Sequence, residues 1–189
     1  MCAAAVRLST LGLQGFWYDE AFTPVHVLHP SLAATLSSVA SHENTPPLWY
    51  IVIWAWSRVF GTTEIALRFP SALAGIATVP VAWAIGKDLA GRTVIGTRRV
   101  PIFIAAVVAL NPLFIWYSQQ ARAYALLVLL AALTVLCFLR ADAQPTRRRI
   151  AAFLATAVLA LLTHTISQAS LLRHVITPAL PEVLVGENR

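Results

Sequence analysis

Apolar residues along this chain come in blocks rather than in alternation. Four blocks, over residues 65–86, 100–116, 121–139 and 150–166, each hold about 17 to 22 residues, enough for a helix to cross a hydrocarbon core of roughly 30 Å. The alternation that a membrane barrel needs is missing, and in lipid the remaining way to satisfy every backbone group is the helix. Two shorter runs behave differently. Residues 3–16 are interrupted by Arg7, Ser9, Thr10 and Gln14 and read as a truncated first membrane helix. The run from Leu48 to Phe60 makes a helix of only about 20 Å, short of a crossing. Its Trp49, Tyr50, Trp54 and Trp56 suit a segment lying in the membrane interface. Between Pro24 and Pro47 the chain reads as loop with a short surface helix near Ser31–Ala40, opened by Pro30 and Ser31. Residues 167–189 are more polar, carry Pro178 and Pro181, and form an atypical tail. The predicted fold is all-α: a polytopic transmembrane helical bundle with an extracytoplasmic first loop, residues 17–64, that contains short juxtamembrane helices.

Composition sharpens this picture. The chain is 58% hydrophobic and 12% charged, with a mean hydropathy of +0.71, against about a quarter charged in soluble domains. The net charge of +6 is concentrated in two loops, one with Lys87, Arg92, Arg98 and Arg99 and the other with Arg140, Arg147, Arg148 and Arg149. Short loops rich in Lys and Arg stay on the cytoplasmic side. That rule places Tyr117–Tyr124 on the outside, and with residues 48–60 not crossing, everything from Asp19 to Glu64 as well. No solvated basic face is available for nucleic acid. Cys2 and Cys137 are too far apart in sequence to suggest a disulfide framework or a metal-ligand spacing.

Chemistry concentrates at Phe16-Trp17-Tyr18-Asp19-Glu20-Ala21-Phe22, where two carboxylates follow three aromatics in a chain with only eight acidic residues. Trp and Tyr favour the membrane-water boundary. An acid pair placed there can hold a hard cation, accept a proton from a hydroxyl, or stay hydrated. A transporter is the rival class, but it calls for charged or broken segments in paired positions near mid-span. Pro80 and Asn111-Pro112 are the candidates for such breaks, with no acid at the membrane centre. His26 and His29 have the spacing of one helix face, which serves equally a metal or an ordinary polar surface. His164 stands at an outer helix end.

The ordered set Asp19-Glu20, Asn44-Thr45-Pro46-Pro47-Leu48-Trp49-Tyr50, Phe60-Gly61, Leu67-Arg68-Phe69-Pro70-Ser71, Gly86-Lys87-Asp88-Leu89-Ala90-Gly91-Arg92, Asn111-Pro112 and Tyr117-Ser118-Gln119-Gln120-Ala121-Arg122-Ala123-Tyr124 resembles the GT-C superfamily of membrane glycosyltransferases. Within it, the set is most similar to glycosyltransferase family 39, which includes protein O-mannosyltransferases and aminoarabinose transferases. The resemblance covers roughly Leu11 to His164. Members are longer, so the chain is expected to be an amino-terminal part. The resemblance implies a multi-pass protein of the plasma (inner) membrane whose active site is extracytoplasmic. It implies transfer of a sugar from a polyprenyl-phosphate carrier, with membrane lipid as the surroundings and the acceptor unspecified. Asp19 is then the expected general base, with Glu20 orienting it or joining it as a divalent-cation ligand; the cofactor otherwise stays open. Arg122, with Tyr124 beside it, is expected to grip the carrier phosphate, and Arg68 to serve similarly. His42 and Glu43 are aimed at the same pocket by the Pro46-Pro47 turn, while Trp49 and Tyr50 cradle the isoprenoid. One departure stands out: Thr45 occupies the position before Pro-Pro where relatives often carry Lys or His.

Overall fold

The computed structural model describes residues 2–13, 15–42, 45–92 and 99–163, and among these residues all regular structure is helical. The helices are α1 (Cys2–Leu8), α2 (Phe22–Val27), α3 (Leu32–His42), α4 (Pro47–Phe60), α5 (Glu64–Ala90), α6 (Arg99–Leu110), α7 (Pro112–Ser118), α8 (Tyr124–Ala143) and α9 (Arg147–Leu161). Helices α5 and α8 are long and apolar enough to cross a membrane, and α6 with α7 makes a third crossing if that pair, bent by 56°, is one span. The protein is therefore an all-α membrane bundle. Large apolar side chains such as Ile102, Phe103, Phe138 and Leu154 turn outward, as a lipid-facing surface requires. The predicted fourth block, 150–166, begins inside α9, and its residues after Thr163 lie outside the described part of the chain.

Local chemistry sets the helix boundaries. Helix α5 starts where the Thr63 hydroxyl accepts from Ala66 N–H at 3.3 Å, with Glu64 in the first turn against the positive end of the helix dipole. Helix α9 starts in the same way, at Thr146. Helix α4 begins with Pro47 at its first position and ends at Gly61, whose φ of 82° is open to glycine without strain.

Helices α5 and α8 run side by side. At one end Arg140 Nε lies 3.0 Å from Asp88 Oδ2, and Arg92 Nη1 lies 2.6 Å from Asp142 Oδ2. At the other end, Ser71 Oγ donates to the carbonyl of Arg122 at 3.1 Å. Helix α4 lies across this second end. Leu48 N–H, at its start, reaches the carbonyl of Leu162 at 3.1 Å, and Trp56 Nε1, near its finish, reaches the carbonyl of Ala66 at 2.9 Å. Arg58 Nη2 ties the carbonyls of Val27 and His29 to it at 2.8 and 2.7 Å. A buried cluster of Val27, Val39, Trp49, Tyr50, Ile53, Leu67, Ala121 and Ala123 also lies here.

The 100–116 block, predicted as one span, breaks at Asn111-Pro112, for a reason that can be counted bond by bond. Pro112 has no N–H for the carbonyl of Val108, and the N–H groups of Leu113 and Phe114 go to Asn111 Oδ1 at 2.9 and 3.4 Å. The carbonyls of Val108 and Ala109 therefore lose their helical donors. Arg7, fully buried, supplies replacements: Nη2 donates to Val108 and Nη1 to Ala109, both at 3.1 Å. Among the described residues no carboxylate pairs with Arg7. Its partners are backbone dipoles, one accepted way to hold a cation at depth. Gly75 makes room nearby, since a Cβ there would sit 2.5 Å from Ser118 Cβ.

A second buried cation sits where the early loop meets the bundle. Arg68, on α5, is 4% exposed and Glu20 is 2% exposed. Arg68 Nε donates to Glu20 Oε1 at 2.9 Å and Nη2 to Oε2 at 2.7 Å, the forked geometry a guanidinium favours. The remaining carboxylate lone pairs accept Trp17 N–H at 3.0 Å and Ala121 N–H at 2.7 Å. Arg68 also donates to the carbonyls of Leu11 and Gly15. Burial by itself raises the carboxyl pKa, but the hydrogen bonds from Arg68, Trp17 and Ala121, with the Arg68 charge, outweigh it and hold Glu20 below the ordinary carboxylate range.

Two predictions follow the two arginines. Arg7→Met should cost about 1.5–3 kcal/mol of stability for the lost charged hydrogen bonds. In a Pro112→Ala background, which returns a donor to Val108, the cost should shrink; thermal melting of the detergent-solubilised single and double variants measures that coupling. Glu20→Ala should cost about 3–5 kcal/mol, because it strands a buried guanidinium. The Glu20 pKa is depressed on folding, so its stabilisation is present above the unfolded value of about 4.3 and is lost as pH falls through the folded value. Melting temperature against pH should therefore fall on the acid side in the native protein and fall less steeply in Glu20→Gln.

Candidate functional site

The turn that carries the acid pair sends its two carboxylates in different directions. Glu20 N–H and Ala21 N–H both return to the carbonyl of Trp17, at 2.9 and 3.1 Å. With Glu20 turned inward to Arg68, Asp19 stays at the surface, its side chain 41% exposed. Tyr18, just before it, is 85% exposed.

Opposite lies the corner between α7 and α8. Its backbone is pinned three times: Ala121 N–H to Glu20 Oε1, the Ala121 carbonyl to Thr23 Oγ1 at 2.6 Å, and the Arg122 carbonyl to Ser71 Oγ. This fixes two side chains against Asp19. Arg122 Nη2 lies 3.2 Å from Asp19 Oδ1. The Tyr124 hydroxyl donates to Oδ2 at 3.1 Å across 105 residues of sequence. Behind them, Arg122 Nη1 approaches the hydroxyl of Tyr50 at 3.4 Å, and the Tyr117 ring packs 4.9 Å from that of Tyr124. The result is an open carboxylate flanked by a cation that is only 14% exposed and by a phenol. Such a group can take a proton from a hydroxyl brought to its free edge, beside a guanidinium suited to a phosphate.

The structure sorts the remaining predicted residues. Glu20 and Arg68, predicted for catalysis and for substrate, are both inside and bonded to each other and to surrounding backbone. With both oxygens of Glu20 already accepting two donors each, this carboxylate has no lone pair left for a divalent ion. Asp19 faces a guanidinium, and among the described residues no group of three His, Cys, Asp or Glu side chains is placed to hold a metal. Trp49, predicted to cradle a lipid chain, is 1% exposed and belongs to the core. Tyr50 is buried as well and backs Arg122. His42 turns to Ser38, Ser41 and His26. His26 is buried, with Nδ1 3.0 Å from Ser38 Oγ and its ring against Tyr50, whereas His29 is half-buried and offers its carbonyl to Arg58 and Trp54. Glu43, Asn44 and His164 lie outside the described residues. Sequence reasoning missed Thr23 and Ser71, whose hydroxyls hold the corner; an isolated hydroxyl in an apolar stretch is their sole signal.

No curated protein and no solved structure matches the chain. A family model described as dolichyl-phosphate-mannose-protein mannosyltransferase matches residues 44–176, more than half of the 189 residues. Tyr50, Arg68, Arg122 and Tyr124 fall within that span, and Asp19 and Glu20 precede it. With that match, and with α5 and α8 among the described residues long and apolar enough to cross a membrane, the chain belongs to the dolichyl-phosphate-mannose-protein mannosyltransferase family, glycosyltransferases of the GT-C type.

Proposed function

We propose that this chain carries the reaction centre of a multi-pass enzyme of the plasma (inner) membrane that moves a sugar from a polyprenyl-phosphate donor to an acceptor hydroxyl on the extracytoplasmic side. The observation that carries the reading is the cluster of Asp19, Arg122 and Tyr124 at one end of the bundle. In this reaction the acceptor oxygen attacks the anomeric carbon while its proton passes to Asp19. The bond from that carbon to the phosphate oxygen breaks, and the phosphate leaves with the electron pair. Arg122 stabilises the charge gathering on the leaving phosphate. Tyr124 holds Asp19 in register, and Glu20 and Arg68 act as positioning residues through the loop and the corner. A phosphate is already a fair leaving group, so one displacement with inversion suffices, without a covalent sugar-enzyme intermediate.

The side assignment is supported by charge. Lys87, Arg92 and Arg140 gather at the end of α5 and α8 opposite Asp19, and basic loops of this kind stay in the cytoplasm.

Asp19→Asn should lower kcat for transfer from polyprenyl-phosphate mannose by about a hundred- to ten-thousand-fold, with little change in donor KM. Transfer at the native rate by a folded Asp19→Asn variant would remove the base. Arg122→Lys, which keeps the charge but loses the fork, should raise donor KM by roughly tenfold. Cysteines introduced at Ser41 and Gln119 should react with an impermeant thiol reagent from the same, outer side; labelling from opposite sides would dismantle the shared centre.

A further inference from the structure

At the end of the bundle away from Asp19, the last turn of α5, the last turns of α8 and the start of α9 surround a cavity of about 710 Å³. Its size falls within the roughly 300–1,000 Å³ of small-molecule sites. Lys87, Arg92, Arg140, Arg148 and Arg149 line it, with Asp88 as the acid among them.

Two of these cations are already answered: Arg140 pairs with Asp88, and Arg92 with Asp142. Lys87, Arg148 and Arg149 have no carboxylate partner among the described residues. Lys87 Nζ rests 4.7 Å from the centre of the Trp83 ring, and Arg149 Nη1 donates to the carbonyl of Arg140 at 2.9 Å. Three positive charges thus face one space, and they repel one another until an anion joins them. A phosphate, which accepts several charge-assisted hydrogen bonds at once, is the group such a set suits.

The wall toward the middle of the bundle has another character. Cys137 stands about one turn before Arg140 on α8. Ala152 stands about one turn after Arg148 on α9, which runs back toward α4, where the carbonyl of Leu162 meets Leu48 N–H. Both therefore lie deeper in the bundle than the charges. The matching ligand has an anionic head and an apolar continuation directed into the membrane. A free phosphate would leave that deeper wall unused.

We propose that this cavity holds the head group of an anionic bilayer phospholipid, its phosphate taken by Lys87, Arg148 and Arg149 and its acyl chains passing Cys137 and Ala152. Basic pockets between membrane helices on the cytoplasmic side bind such head groups. The lipid bridges the ends of α5, α8 and α9 and relieves the repulsion among their cations. The site is remote from Asp19 and Arg122, and it stands whether or not the transfer reaction is as proposed above.

Native mass spectrometry of the detergent-solubilised protein, titrated with dioleoyl phosphatidylglycerol or dioleoyl phosphatidylcholine, tests the site. The anionic lipid should bind about tenfold more tightly than the zwitterionic one. Lys87→Gln and Arg148→Gln, which leave both ion pairs intact, should each weaken that binding roughly fivefold. Arg147→Gln removes a charge from the same run but outside the cavity lining, and should change it by less than about twofold. Ala152→Phe keeps every charge, fills the cavity at an exposed position, and should also weaken it roughly fivefold; melting without lipid checks that each variant is folded. Equal binding of the two lipids, equal losses in Arg148→Gln and Arg147→Gln, or full binding to a folded Ala152→Phe overturns the proposal. Displacement of phosphatidylglycerol by an equal concentration of glycerol phosphate overturns it in favour of a free anion, and binding of polyprenyl phosphate without any of phosphatidylglycerol overturns it in favour of the carrier.

Discussion

The buried pair of Glu20 and Arg68 is the constraint from which the geometry of this end of the molecule follows. Taking both ions out of water is costly, and the cost is met only when every lone pair and N–H is used. Here the carboxylate joins the guanidinium, the turn at Trp17 and the corner at Ala121, and the guanidinium also joins the carbonyls of Leu11 and Gly15. Three segments distant in sequence therefore have one permitted arrangement. Asp19 precedes Glu20 by one residue, and Arg122 follows Ala121 by one residue. The separation between Asp19 and Arg122 is thus set by a side chain that takes no part in their contact.

The same rule operates at the break between α6 and α7. Inside hydrocarbon an unpaired carbonyl has no water to turn to, so the donors lost at Asn111-Pro112 must come from elsewhere. Arg7 provides them from a different helix. The bend it stabilises is what turns α7 away from the line of α6 and delivers Gln119, Gln120 and Arg122 to the loop that holds the acids. Two buried arginines, one paired with a carboxylate and the other with backbone dipoles, together determine where the corner sits.

The two adjacent carboxylates have different surroundings. Glu20 is held ionised and enclosed by its four donors. Asp19 keeps an open edge beside Arg122 and Tyr124, where a hydroxyl can approach. The arginines divide in the same manner, Arg68 within and Arg122 at the rim. Since the matched family span begins after Asp19, it is the geometry that joins this acid to the matched residues Arg122 and Tyr124.

Much of this architecture was legible in the residues themselves. Long apolar blocks become α5 and α8 because helix formation is a local property, and the run 48–60 likewise becomes the 14-residue helix α4. Clustered Arg residues likewise mark one end of the bundle before any fold is known. The tertiary structure alone decided which acid and which arginine turn inward, because Asp19 and Glu20, like Arg68 and Arg122, look equivalent until partners from residues far along the chain surround one of each. It also decided that Trp49 belongs to the core, since a segment rich in tryptophan has apolar surface on several sides and its sequence does not say which side will be covered. Helix formation depends on neighbours within a turn, whereas burial of a charge depends on donors contributed by distant segments, and the latter exist only once the chain has folded.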